Sequence, residues 1–213
     1  MRPRRESGPL RLFVAAYPPS GLAQSLVDAA RSPELMDVRW TPASQVHLTL
    51  QFIGDTEDRD IPRVMESMER ACAATRAFVL TFERLRTLPF GGEPKLIAAT
   101  TDCPSYLTEL HKRLALRLAR NDAKRNAERF RPHVTLCRSV RTPHRLDLPL
   151  EPLRWTVDAV LLMASVLHPS GAEHRELCRV GLAASPGLRT LEGTHDAEPG
   201  RTRDPASDPQ PEA

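Results

Sequence analysis

Two stretches of this 213-residue chain carry the same short pattern, Val46-His47-Leu48-Thr49-Leu50 and, 86 positions further on, His133-Val134-Thr135-Leu136. In an extended strand alternate side chains share a face. His47 and Thr49 then project one way and Leu48 and Leu50 the other, and the second copy repeats this with Val134 and Leu136 on the apolar side. A strand that buries two aliphatics and shows an imidazole and a hydroxyl is the floor of a pocket. Two such strands predict a two-lobed site with one imidazole from each lobe. The pair can divide labour, one imidazole accepting a proton while the other, protonated, donates one. That chemistry cleaves a phosphoester without a metal. One histidine deprotonates a water that attacks phosphorus, the other protonates the departing alkoxide, and each threonine hydroxyl hydrogen-bonds a nonbridging oxygen where charge builds up. Zinc ligation is the competing use of two histidines. Neither motif offers His-x-x-x-His or His-Glu-x-x-His, and no carboxylate recurs beside both histidines.

The elements that must position these strands are legible in the apolar spacing. Leu10 to Tyr17 predicts a buried strand, broken by Pro18-Pro19-Ser20, which opens a helix with Leu22, Leu26 and Ala29 on one face. Val38 to Trp40 predicts a short strand leading into the first His-x-Thr strand, which Gly54-Asp55 should end. Ile61, Val64, Met68 and Cys72 follow helical spacing, and Ala77 to Leu88 with Lys95 to Thr101 predicts a hairpin. After Pro104, Leu107, Leu110, Leu114 and Leu118 form the clearest amphipathic stripe of the chain. The second His-x-Thr strand is expected from Phe130 to Val140, then a proline-broken loop from Thr142 to Pro152, then one long strand from Trp155 to Leu167 hairpinned with Glu173 to Leu182. A helix precedes each His-x-Thr strand, the weak internal symmetry of a duplicated lobe. Mixed helices and antiparallel hairpins predict an α+β fold rather than a doubly wound sheet.

Residues 1–9 read as a flexible basic lead, 10–182 as one two-lobed domain and 183–213 as a disordered tail almost without aliphatics. An apolar content of 40% suffices for a core. No apolar run is long enough to span a bilayer, and no signal-peptide core follows Arg2, Arg4 and Arg5, so a cytoplasmic protein without membrane contact is expected. Cys72, Cys103, Cys137 and Cys178 are too dispersed for a zinc or redox motif and read as reduced thiols, mostly interior. Through Gly181 the chain holds 27 basic and 21 acidic residues, a moderately positive body that tolerates a polyanion. Arginine outnumbers lysine 27 to 3, a bias that genome composition alone can produce.

Arg39-Trp40 leading to His47-Leu48-Thr49-Leu50-Gln51-Phe52-Ile53-Gly54, then Phe130-Arg131-Pro132-His133-Val134-Thr135-Leu136-Cys137-Arg138, then Ser165-Val166-Leu167 with Gly171, resembles the two-histidine phosphoesterases. Within them it is most similar to the RNA 2′,3′-cyclic phosphodiesterases, originally named 2′-5′ RNA ligases, over about Leu10 to Leu182. The resemblance implies a bilobal duplicated fold with antiparallel sheets lining a central cleft and helices outside. It implies opening of a 2′,3′-cyclic phosphate at an RNA end to a 2′-phosphate, with no metal and no cofactor, by a protein expected to be a monomer. By the same resemblance His47 is the proton donor to the 3′ leaving oxygen and His133 the acceptor from water, while Thr49 and Thr135 hold the phosphate. The position five after each histidine is Phe52, for a base or ribose contact, and Arg138, for phosphate. Five is odd, so on a straight strand both would point away from the histidines, and they reach the cleft only if the strand bulges after the Thr-Leu pair. Relatives often carry tyrosine where His174 stands. His144, His168 and His195 read as solvated, His111 as a partly packed helix residue and Arg131 as a surface arginine. Other readings are a cyclic phosphodiesterase for small nucleotides such as ADP-ribose cyclic phosphate, a non-catalytic RNA-end binding module, and a weak reverse 2′-5′ ligation by the same groups.

Overall fold

The computed structural model describes residues 9–31, 38–89, 93, 95–119, 130–138, 145–168 and 171–185. Among these residues nine strands and three α-helices follow one another as β1 (Leu10–Ala16), α1 (Ser20–Ala30), β2 (Arg39–Trp40), β3 (Leu48–Thr56), α2 (Ile61–Cys72), β4 (Phe78–Leu88), β5 (Leu96–Thr101), α3 (Ser105–Leu118), β6 (His133–Arg138), β7 (Asp147–Val157), β8 (Ala159–His168) and β9 (Gly171–Gly181). Proline sets the helix starts. It has a fixed φ and no N–H to waste in the first turn, and here it caps α1 as Pro19 and α3 as Pro104 and enters the first turn of α2 as Pro62.

The strands form one sheet in the order β7-β4-β5-β6-β3-β1-β8-β9, with β2 pairing β6 off this path. The named strands pair antiparallel throughout, which makes the class α+β as the residue spacing predicts. At the centre β3 and β6 share the single registered pair Leu48↔Val134. Each partner directly follows its motif histidine, so an approximate twofold axis runs between the two motifs. It exchanges β1-α1-β3 with β5-α3-β6, since β1 lies beside β3 as β5 lies beside β6. The helices cover one face of the sheet. Leu26, Met68, Leu107, Leu110 and Leu114 pack there with Leu48, Leu50, Val134 and Leu136. Phe13, Ala15, Leu161 and Met163 form a smaller cluster apart from that core.

Several boundaries differ from the sequence expectation, each for an identifiable reason. On α1 the buried face is Ala23, Leu26, Val27 and Ala30, while Ala29 is exposed, because helical rotation puts Ala30 and not Ala29 in line with Leu26. Gly54 does not end β3. It adopts a φ of +88° inside a strand that runs on to Thr56, at an irregularity where Leu12 pairs Gly54 but Phe13 pairs Phe52. From Asp147 onward the stretch expected as a proline-broken loop is instead part of β7, which passes through Pro149 and Pro152. β7 is the outermost strand beside β4, where a proline costs no ladder bond on the free side. The long strand expected from Trp155 is divided at Asp158 between β7 and β8, which lie in opposite halves of the sheet order. The second motif strand starts at His133, and residues 139–140 lie outside the described part, as do 1–8, 186–213, His144 and His195. Of the cysteines, none is in a disulfide; Cys72 and Cys137 are buried, Cys178 is half-buried and Cys103 is exposed.

Ile97 and Cys137 pack together beneath the β5/β6 end of the cleft. Replacing Ile97 by valine is expected to lower unfolding free energy by about 0.5–1.5 kcal/mol through the lost methylene. Leu116→Ala, at a position 82% exposed, should stay within about 0.5 kcal/mol of the parent in urea unfolding.

Candidate active site

Both motif histidines are anchored in the same way. The Nδ1–H of His47 donates to the carbonyl of Gln45 at 2.7 Å, and the Nδ1–H of His133 donates to the carbonyl of Arg131 at 2.8 Å. Each bond reaches back two residues along the chain. It places the single proton of the neutral ring on Nδ1 and leaves Nε2 as the nitrogen able to take or give a proton. Carrying the antiparallel register one residue each way from Leu48↔Val134 sets His47 across from Thr135 and Thr49 across from His133. Each threonine also stands across from a buried alanine in its own half, Ala15 for Thr49 and Ala98 for Thr135.

Phe52 and Arg138 do reach this face, and the ladder shows how. In the second half Thr100 pairs His133, Ala98 pairs Thr135, Ile97 pairs Cys137 and Leu96 pairs Arg138, so Leu136 is left over as a bulge. Leu96, Ala98 and Thr100 share one face of β5, and cross-strand partners share a face, which puts Arg138 beside His133 and Thr135. The first half repeats the device: Ala15 pairs Thr49, Val14 pairs Gln51 and Phe13 pairs Phe52, so Leu50 is left over. The bulged residue in each half stands three positions after its histidine. Leu50 and Gln51 both turn into the protein, and Phe52 emerges on the His47 face, 72% exposed, with its ring 6.3 Å from that of Phe13. The amide of Gln51 donates to the Phe52 carbonyl at 2.7 Å. β2 adds Arg39 directly across from Arg138.

The residues that sequence reasoning passed over lie around His47. Its ring stacks on Tyr17 at 5.2 Å, sits 5.3 Å from Phe13 and meets His174 edge-on at 5.1 Å. His174 is therefore part of the site despite the departure from tyrosine. Burial, with Glu176 adding to it, holds the Tyr17 phenol well above its ordinary pKa and keeps it protonated, and its hydroxyl hydrogen-bonds His174 Nδ1 at 2.9 Å. The signal for Tyr17 was its place at the end of β1, directly before the double proline. Arg131, expected on the surface, is exposed and serves through its carbonyl. The side chain of His168 lies outside the described part. Among the described residues no group of three or more His, Cys, Asp or Glu is arranged to hold a metal ion.

Burial dominates the electrostatics. It pushes His47 down to about 4, with the charges of His174, Arg138 and His133 lowering it further against the Gln45 hydrogen bond. His133 and His174 are lowered for the same first reason, and Arg138 depresses both. At neutral pH the free cleft thus holds neutral imidazoles facing the Arg138 guanidinium. Because the unfolded chain binds a proton near 6.5 that folded His47 binds only near 4, stability is fully present above the unfolded value and is lost as pH falls through that window. The urea midpoint is expected to drop between about pH 6.5 and 4, and His47→Gln should flatten the drop.

An antiparallel α+β sheet whose two halves each contribute an anchored His-x-Thr strand defines the class of two-histidine phosphoesterases. The chain belongs to the 2′-5′ RNA ligase superfamily, whose family model matches residues 18–168 and so takes in both motifs. A Thermus thermophilus protein named RNA 2′,3′-cyclic phosphodiesterase is 25% identical over 195 residues, covering 86% of this chain and 96% of that protein. One of the same name from Thermotoga maritima is 23% identical over 143 residues, 65% of this chain and 76% of that one. The fold matches a crystal structure from Thermus thermophilus with a TM-score of 0.71 at 24% identity, over 82% of this chain and 99% of that chain. It also matches apo LigT of E. coli with a TM-score of 0.66 at 22% identity, over 83% and 99%.

Proposed function

We propose that this protein hydrolyses 2′,3′-cyclic phosphate ends of RNA to 2′-phosphomonoesters by metal-independent general acid-base catalysis. The observation that carries the reading is the matched anchoring of His47 and His133 through Nδ1, which commits two Nε2 atoms on facing strands to proton transfer. The relatives named RNA 2′,3′-cyclic phosphodiesterase support the substrate class. In the step, His133 Nε2 takes a proton from water as its oxygen bonds to phosphorus. The P–O3′ bond breaks, and His47 Nε2 gives its proton to O3′. The 2′ ester survives, which yields the 2′-phosphate. Thr49, Thr135 and Arg138 bind the nonbridging oxygens, and Phe52 stacks on the terminal base or ribose.

His47 is neutral in the free cleft, so its role as acid depends on the substrate. A bound phosphate monoanion pairs with Arg138 and sets negative charge beside the imidazole, and both changes favour the imidazolium when its proton is needed. The same groups run the reverse addition of a 2′-hydroxyl end as a weak 2′-5′ ligation. Among the described residues no helix is long and apolar enough to cross a membrane.

The test is end-group analysis of a cyclic-phosphate oligonucleotide incubated with the protein in EDTA. A 2′-phosphate product supports the reading, and a 3′-phosphate overturns the regiochemistry. Tight binding without turnover would make the protein an RNA-end binding module. Faster turnover of a mononucleoside or ADP-ribose cyclic phosphate than of the oligonucleotide would move the substrate to small nucleotides.

A further inference from the structure

His111 lies on α3, on the helical side of the sheet, and is 5% exposed. It donates from Nδ1 to the carbonyl of Leu50 at 2.7 Å, and its ring lies flat on Phe130 with centroids 4.0 Å apart and planes 10° apart. Neither partner is in the cleft, yet each belongs to a motif segment. Leu50 is the bulged residue of the first motif, three after His47. Phe130 stands three before His133, next to the Arg131 carbonyl that orients that imidazole.

A bulged residue falls out of the ladder, so its buried carbonyl must find a donor elsewhere. The two halves solve this differently. The carbonyl of Leu136, the second bulge, accepts the backbone N–H of Thr41 at 2.8 Å. The carbonyl of Leu50, the first bulge, accepts the imidazole of His111. The approximate twofold makes the difference plain. His111 is seven residues after the capping Pro104, and seven after Pro19 on α1 stands Leu26, which has no donor to offer. An imidazole in one half does what a backbone amide does in the other.

We propose that His111 is a positioning residue that holds the Leu50 bulge, thereby keeping Phe52 on the cleft face, and braces through Phe130 the segment that carries His133. The consequence for catalysis rests on Phe52 contacting substrate, as in the reading above. A bulge without its donor relaxes toward regular pairing, and regular pairing points the fifth residue after His47 away from the cleft.

The test is a double-mutant cycle of His111→Leu with Phe52→Ala, beside His111→Asn, whose amide keeps a donor near the place of Nδ1. For a cyclic-phosphate oligonucleotide, F52A is expected to lower kcat/KM roughly 5- to 150-fold, the range for losing one base-aromatic stack, mainly through KM. H111L should show a similar loss, H111N should stay near the parent, and the double variant should be no worse than the worse single variant. If F52A costs the same factor in H111L as in the parent, the proposal is overturned, since a merely stabilising histidine lowers the melting temperature without removing the dependence on Phe52. A second readout needs no turnover: NMR contacts between the Phe13 and Phe52 rings should persist in H111N and vanish in H111L. Their persistence in H111L overturns the proposal. Their loss in H111L, with a parent that opens no cyclic phosphate, upholds the positioning role and rejects the proposed reaction instead. If H111L does not fold, His111→Gln takes its place, because its donor lies one bond too far for the Leu50 carbonyl.

Discussion

His47→Ala and His133→Ala are each expected to lower kcat on a cyclic-phosphate RNA end by about 10²–10⁴, the range for one positioned proton transfer, or roughly 3–5 kcal/mol of barrier. The circular dichroism spectrum and unfolding cooperativity should stay those of the parent, because both side chains face the cleft while Leu48 and Val134 hold the core between the halves. The two losses are separable by leaving group. A phosphodiester with a p-nitrophenolate leaving group needs no protonation, so H47A should recover most of the parental rate on it and H133A should not. The opposite pattern would assign the acid to His133. Full activity of either variant on the RNA end would end the two-histidine mechanism for this chain.

Arg138→Gln is expected to lower kcat/KM by about 10²–10³, the loss that follows removal of one preorganised donor to a developing oxyanion. It should also move the pH profile in a definite direction. The guanidinium depresses His47, His133 and His174 alike, so its removal raises all three. The acid limb of kcat/KM, which reports protonation of the base in the free enzyme, therefore shifts to higher pH in R138Q. An unchanged limb together with a large rate loss would leave Arg138 a phosphate ligand without influence on the proton inventory.

The helices and most strands were legible because they obey local periodicity. The stripe Leu107, Leu110, Leu114, Leu118 is buried throughout on α3, and the hairpin β4/β5 lies where the spacing put it. The errors fell where position in the sheet overrides composition. Pro149 and Pro152 look like loop residues until β7 is known to be an edge strand. The apolar run after Trp155 looks like one strand until it is seen to cross from one edge of the sheet to join the other half. His111 looks half-exposed on its own helix. It is buried because α3 packs against β3 and Phe130 covers its ring, where it meets the Leu50 carbonyl 61 residues earlier in the chain.

The paired motif stands on firmer ground than its fifth-residue partners. A period of two is an intrinsic property of an extended backbone, so His47 and Thr49, and His133 and Thr135, share a face whatever the rest of the chain does. That much, the α+β class and the division into two similar halves follow from the sequence alone. Whether Phe52 and Arg138 join them depends on which residue the ladder leaves out. The register along β1 and β5 and the donors Thr41 and His111 decide that, and all of them are distant in sequence. The third imidazole was likewise a tertiary matter, since His174 enters the site only because β9 folds back along β8 and brings its ring to Tyr17 and His47. Local spacing specifies which side chains a strand presents together. The tertiary structure alone sets where that spacing is interrupted, because a bulge persists only where the surrounding chain supplies a donor for its carbonyl.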